Sequence, residues 1–432
     1  MFGLNNIYTC FIALLILIMP IGMQPFINNV DEVGCGILLM LAFFDSIINR
    51  KWGSYKLLWI IIAIFGFYIL YSLYIRHSNT LSLILMDAFI EAKPFIAFSV
   101  VFGSRVRPTD LNRKLLRLIA AVSATFMSIV TINGYHMQRI VAGHAAFAGM
   151  SIYVSVILFL LCSINEYNEW KKNDLILAFI WLTCGLMCGR SKFFAEFVLT
   201  LFFVLIYKPG ILKHFKFKHI VLIVSVCALV IIVVWHKFSY YFITGNSDTF
   251  DPNDAASFAR PALYLTGFLI FLDNFRFGSG LASFASYASS INYSQTYYEY
   301  NLDKVWGLSP TYNEFICDAY YPSLAQFGIA GLILFIIFWR YAYRFLLKYI
   351  RKSAMYNRNY FVLGTLLMCF ILIECTTGTG FTTPFGFMAM ILFSLICRNA
   401  VDISTAAQGN EVYSNPCDNN YIDAPNSKRL KI

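Results

Sequence analysis

About twelve apolar runs, most of them long enough to cross roughly 30 Å of hydrocarbon, occupy this chain. They fall near residues 7–28, 33–48, 56–75, 81–102, 115–133, 140–162, 174–189, 192–208, 219–235, 324–347, 360–374 and 380–398. Inside a bilayer each backbone N–H and C=O must find its partner within the protein, so runs of this length read as helices. The expected fold class is an all-α polytopic membrane protein with about twelve transmembrane helices. Composition agrees: 59% of residues are hydrophobic and only 13% charged, proportions that no ordinary soluble domain tolerates. The formal charge of +10 would suggest nucleic acid in a soluble protein, but here the placement of Lys and Arg carries topology instead. No nucleic-acid partner is expected.

An N-terminus on the inside puts Arg50/Lys51/Lys56, Arg105 to Arg117, Lys171/Lys172, Lys208 to Lys218, Arg340 to Arg358 and Arg398 with the tail on the cytoplasmic side. That side then holds 24 of the 33 basic residues, with eight outside and Lys93 within a span. The opposite orientation would expose most of the positive charge, so the expected topology is N-in, C-in. The first apolar run lacks a small-residue cleavage site and reads as a retained anchor.

The division that follows is 1–235 with nine spans, 236–323 as one large extracytoplasmic loop, 324–398 with three spans, and 399–432 as a polar, disordered cytoplasmic tail. Within the loop, RPALYLTGFLIFLDN has helical apolar spacing with Pro261 near its start, which suggests an amphipathic helix at the outer leaflet. Gly278 and Gly280 permit a tight turn or a close backbone approach to a ligand. The Tyr-rich stretch from Tyr287 to Tyr300 could stack on sugar faces or sit at headgroup level. Neither histidine nor cysteine spacing describes a metal centre, so no metal and no cofactor is expected.

The cations left outside are Arg76, Arg139, Arg190, Lys192, Lys237, Arg260, Arg276 and Lys304. Topology disfavours them there. Arginine's planar fork matches phosphate oxygens, so Arg190, Arg260 and Arg139 are candidates to hold a lipid diphosphate and stabilise it as a leaving group. Their alternative roles are headgroup contact or, near Arg190 and Lys192, pairing with Glu196. Among outer carboxylates, Asp318 and Glu314, and then Asp273, could serve as a general base toward a sugar hydroxyl, or be solvated loop charges. Asp87 and Glu91, four apart on one helix face with Lys93 nearby, read as an intramembrane ion-pair cluster or part of a polar pathway. His136 and His144 flank a span on the outer side and read as interfacial.

The order GRSKFFAEF, ARPALYLTGFLIF, LDNFRFGSGLASF and DAYYPSLAQFGIAGLILF around one outer loop resembles the O-antigen polymerase and ligase superfamily of bacterial polysaccharide assembly. The resemblance covers roughly Arg190 to Ile336 in motifs and the whole chain in hydropathy. It implies an inverting, metal-independent glycosyltransferase of the bacterial inner membrane, with its active site facing the periplasm. Its substrates would be oligosaccharides on undecaprenyl diphosphate, its surroundings membrane lipids, and its partners a chain-length regulator and a flippase. The family's arginines that face the carrier diphosphate fall on Arg190 and Arg260. The ligases' His-Asn pair falls on Cys317 and Asp318, so the ligase histidine is missing and the polymerase is the expected member. A ligase acting on lipid A core and a lipid-linked oligosaccharide flippase are the alternatives.

Overall fold

The structure, a computed structural model, describes residues 3–21, 24, 29–75, 79–207, 235, 239, 259–353 and 357–413. The expected span at 219–231, most of the loop's opening up to 258, the end of the tail, and Arg76, His236 and Lys237 lie outside the described residues. Every regular element among the described residues is helical, and β pairing is confined to two isolated bridges, Ser309 with Tyr312 and Ala319 with Gly378.

The helices are α1 (Leu4–Ile18), α2 (Val30–Ile48), α3 (Lys56–Ile75), α4 (Leu81–Ser104), α5 (Asp110–Ile132), α6 (Tyr135–Ala142), α7 (Ala145–Ser163), α8 (Lys172–Leu186) and α9 (Ser191–Leu201). A π-helical turn over Phe202–Ile206 extends α9. After the undescribed segment come α10 (Ala259–Asp273), the short α11 (Tyr287–Ile291) and α12 (Gln295–Glu299), then α13 (Gly328–Ser353), α14 (Arg358–Glu374) and α15 (Pro384–Tyr413).

Six helices are long and apolar enough to cross a membrane: Leu4–Ile21, Trp52–Ile75, Asp110–Ile132, Ala145–Ser163, Gly328–Tyr349 and Pro384–Val401. The other apolar helices fall short for identifiable reasons. Helix α2 carries Asp31, Glu32 and Asp45, α4 carries Asp87, Glu91 and Lys93, and α8, α9 and α14 are shorter than a typical span. The run expected as one span over 140–162 is broken at Gly143, whose φ of +76° ends α6, and α7 starts afresh after His144. Helix α15 continues to Tyr413, past the break expected near Asn399.

Burial separates a centre from a periphery. Ala145–Ser163 is 78% buried and Pro384–Val401 83%, against 22% for α3 and for Gly328–Tyr349, so α7 and α15 form the middle of the bundle and α3 and α13 its rim. Around α15, Phe95, Phe98, Phe338, Phe381 and Phe393 meet in edge-to-face and tilted pairs, a geometry that aromatic quadrupoles favour.

Contacts between connections sort the molecule into two ends. At one, Arg113 reaches the Ile164 carbonyl, Arg117 pairs with Asp174, Asn168 meets Asn357, and Arg358 donates to the Tyr207 carbonyl at 2.6 Å. At the other, Asn79 bonds the Ala282 carbonyl and the loop 259–327 packs over the helix ends. The Arg/Lys-rich connections gather at the first end, as the charge distribution predicted.

The loop is a small body with its own core, built from Ala262, Leu263, Ile270, Phe284, Tyr297, Leu308 and Ile316. Its amphipathic helix is present as α10, with Leu263, Thr266, Gly267 and Ile270 facing inward and the apolar Leu265, Phe268, Leu269 and Leu272 exposed. The two glycines have a structural explanation. Gly278 and Gly328 sit at φ +81° and +57°, and a Cβ on Gly278 would lie 2.3 Å from the Gln326 backbone. The close approach is therefore between FGSG and AQFG, where Gly280 N–H donates to the Gln326 carbonyl at 3.0 Å, and the partner is the chain itself rather than a ligand. The tyrosines likewise divide: Tyr297 is buried under Ser289 and Ala285, Tyr293 donates to the Leu308 carbonyl at 2.6 Å, and Tyr287 and Tyr298 stay exposed.

The expected cluster of Asp87, Glu91 and Lys93 is replaced by two separate arrangements. Lys93 pairs with Asp31 and Glu32 of α2, while Asp87 accepts the Ala282 N–H at 2.7 Å and Glu91 faces the Tyr320 hydroxyl. The reason is angular: positions 87 and 91 share a helix face, whereas 93 lies two residues on and points away from it.

Candidate functional site

Four separated stretches meet at the loop end of the bundle. The first is the start of α7. His144 caps it, with Nδ1 accepting the Ala146 N–H at 3.3 Å, and its Nε2 stands 2.6 Å from Nη2 of Arg190. A guanidinium only donates, so Nε2 must accept. Burial, and then the charges of Arg190 and Lys192, push the His144 pKa down to about 4, which keeps the ring neutral and available for this contact.

The second stretch opens α9, where Arg190 is the N-cap residue and Lys192 lies in the first turn. Lys192 pairs with Glu374 and donates to the Thr377 carbonyl at 2.6 Å. Its ion-pair partner is therefore Glu374, at the end of α14, although the buried Glu196 of its own helix also lies within electrostatic reach.

The third stretch is the turn from Cys375 to Thr379. It is stitched to the loop: Gly378 N–H donates to the Asp318 carbonyl at 2.6 Å, Tyr320 N–H to the Cys375 carbonyl at 3.1 Å, and Tyr264 OH to the Thr376 carbonyl at 2.8 Å. Gly378 adopts φ +108°, a backbone state that side chains resist, and an added Cβ would first meet Lys192 Nζ at 3.9 Å.

The fourth is the loop itself. Arg260 stands in the first turn of α10 beside Pro261, where a proline's missing N–H is tolerated. Its Nη2 bonds Oδ2 of Asp318, and the two side chains are 20% and 29% exposed. Burial raises the Asp318 pKa above the ordinary carboxylate value, and Arg260, Lys192 and Arg190 oppose that rise. All three cations thus act on one carboxylate, which makes the cluster a single electrostatic unit.

The structure therefore brings together Arg190, Arg260 and Asp318, with Lys192 beside them. Arg139 is exposed on α6, outside the hydrogen bonds described above. Glu314 is also exposed, accepting from Tyr312 OH at 3.2 Å, and Asp273 accepts from Tyr300 OH at 2.6 Å. Burial pushes the Cys317 thiol up to about 12, so it offers no thiolate at neutral pH.

Sequence reasoning missed Glu374, the turn at 376–378 and the closeness of His144 to Arg190. The signal that could have found the turn is the small, polar TTGTG between two apolar runs, a composition suited to close backbone approach. Comparison with family models and with curated proteins gives no match.

Chemically, the cluster suits an anion with several oxygens. Two guanidinium groups and an ammonium can surround it, and a partly buried carboxylate beside them can accept a proton.

Proposed function

We propose that this chain is a polysaccharide polymerase of the O-antigen type, an inverting, metal-independent glycosyltransferase of the bacterial inner membrane. The observation that carries the reading is the convergence of Arg190, Lys192 and Arg260 on Asp318 from segments far apart in sequence. In this reading about twelve spans run N-in, C-in, the loop end faces the periplasm, and a chain-length regulator and a flippase work alongside. The sorting of connections into two ends supports that orientation.

The donor is the growing glycan on undecaprenyl diphosphate, and the acceptor is the terminal hydroxyl of a lipid-linked repeat unit. The acceptor oxygen attacks the donor's anomeric carbon from the face opposite the diphosphate. A new C–O bond forms, the bond from anomeric carbon to phosphate oxygen breaks, and undecaprenyl diphosphate leaves with the electron pair. Arg190 and Arg260 neutralise the charge that develops on the leaving group, and Asp318 takes the acceptor's proton. The pair with Arg260 engages Oδ2 of Asp318, so substrate binding that draws Arg260 toward phosphate also frees the base. Glu314 and Arg139 take no part in this step.

Cys317 at the place of the ligase histidine disfavours transfer to lipid A core. A deletion strain complemented with wild type, Arg260→Ala or Asp318→Ala tests the assignment by lipopolysaccharide gels. Core bearing a single repeat in the variants supports the polymerase. Bare core with long glycan left on the carrier means a ligase, and single lipid-linked repeats held on the cytoplasmic side mean a flippase.

A further inference from the structure

A gap opens on the rim of the bundle between α3 and α13, floored by α4, and encloses about 380 Å³. Its walls are hydrocarbon and aromatic, among them Ile60, Ile64, Phe65, Phe95, Leu334 and Phe338. Helices α3 and α13 are the least buried spans, so the gap faces the bilayer sideways.

Its two ends differ. Lys56 and Tyr341 line the end away from the loop. Tyr68, Glu91 and Tyr320 line the other, where Tyr68 OH holds the Phe327 carbonyl at 2.8 Å and Tyr320 follows Asp318 by two residues. The stretch of α3 from Leu57 to Tyr68 is roughly 16 Å long. The gap thus runs along the helices and ends beneath the arginine cluster.

Glu91 defines what can sit at that end. It is 4% exposed, one oxygen side faces Tyr320, and Oε2 has no hydrogen-bond partner among the described residues. A carboxylate there repels phosphate, while Arg260, Arg190 and Lys192 attract it just beyond Tyr320. The headgroup and the hydrocarbon are sorted to opposite sides of one tyrosine.

We propose that this gap binds the single tail of a polyprenyl diphosphate, admitted sideways from the bilayer, with its diphosphate at the arginine cluster. The inference rests on the proposed glycosyl transfer from such a carrier. A phospholipid is the poorer fit, because one floor helix flanked by two walls accommodates one chain rather than two.

The test uses full-length protein in detergent micelles and a polyprenyl diphosphate bearing a benzophenone in its tail. Photolysis followed by peptide mapping should place the label on residues 57–68 or 331–341, displaced by unlabelled polyprenyl diphosphate and not by phosphatidylglycerol. Ile60→Trp and Leu334→Trp, which narrow the gap, should lose the label and raise KM for the lipid-linked substrate about tenfold, with kcat within about twofold. Label found elsewhere, or displaced equally by phosphatidylglycerol, overturns the proposal, and the wild-type map decides even where a variant fails to fold. Labelling needs no glycosyl transfer. Label in the gap without polymerisation therefore defeats the proposed function alone, and polymerisation with label elsewhere defeats the gap alone.

Discussion

Replacing Arg260 by alanine removes two things at once. Asp318 loses its partner at Oδ2, and the leaving diphosphate loses one of its donors. A hydrogen bond to a charged group contributes about 1.5–3 kcal/mol, and partial exposure of both side chains places this one at the low end. Loss of a donor aimed at developing negative charge lowers kcat by about 10²–10³. The variant should therefore fold, bind substrate within about tenfold of wild type, and turn over a hundred- to a thousandfold more slowly. Arg260→Lys keeps the charge but not the planar fork, and should fall between the two.

The pH dependence gives an independent sign. Asp318 acts as base only when ionised, and burial already holds its pKa above the usual carboxylate range while Arg260 opposes that shift most strongly. Activity should fall on the acid side as pH drops through that raised value, and Arg260→Ala should move the acid limb to higher pH. Steady-state rates of reconstituted protein on a lipid-linked repeat unit, measured from pH 5 to 8, provide the assay. An Arg260→Ala variant with unchanged kcat, or with an acid limb moved downward, would refute the reasoning.

Other expectations are as direct. Gly278→Ala forces a Cβ to within 2.3 Å of the Gln326 backbone at positive φ and should destabilise the protein by roughly 2–4 kcal/mol, read as a loss of thermal stability with folded yield. Glu374→Gln weakens the hold on Lys192 and should raise KM more than it lowers kcat, because Lys192 then samples several rotamers, whereas equal effects on both would assign Glu374 a different role. His144→Ala should leave the shape of the pH profile above pH 5 unchanged, since the ring stays neutral down to about 4, and should reduce the rate through a less ordered Arg190. Glu314→Gln should leave the rate within about twofold, as its exposed carboxylate bonds only Tyr312 among the described contacts.

The helical class, the amphipathic α10 and the grouping of Arg190, Arg260 and Asp318 were legible in the sequence for one reason. Topology rules make an outer cation or a polar loop between apolar runs conspicuous. Pairings across distant spans were not legible. Lys192 and Glu374 are 182 positions apart, and nothing local marks either as the other's partner. Lys93 was read with its sequence neighbours, and the helix turns it toward α2 instead. The break at Gly143 was hidden because its flanks are apolar enough to pass for one run, yet that break is what sets His144 against Arg190. The glycines of FGSG were read as open toward a ligand, because hydropathy does not reveal that AQFG folds back onto them.

The most direct test of the central claim is a defined reaction: purified protein in liposomes, with an undecaprenyl-diphosphate-linked repeat unit as the only glycan. The account predicts a ladder of longer lipid-linked glycans with one undecaprenyl diphosphate released per linkage, lost in Asp318→Ala. Unchanged substrate that merely crosses the bilayer, or transfer that begins only when lipid A core is added, would contradict it.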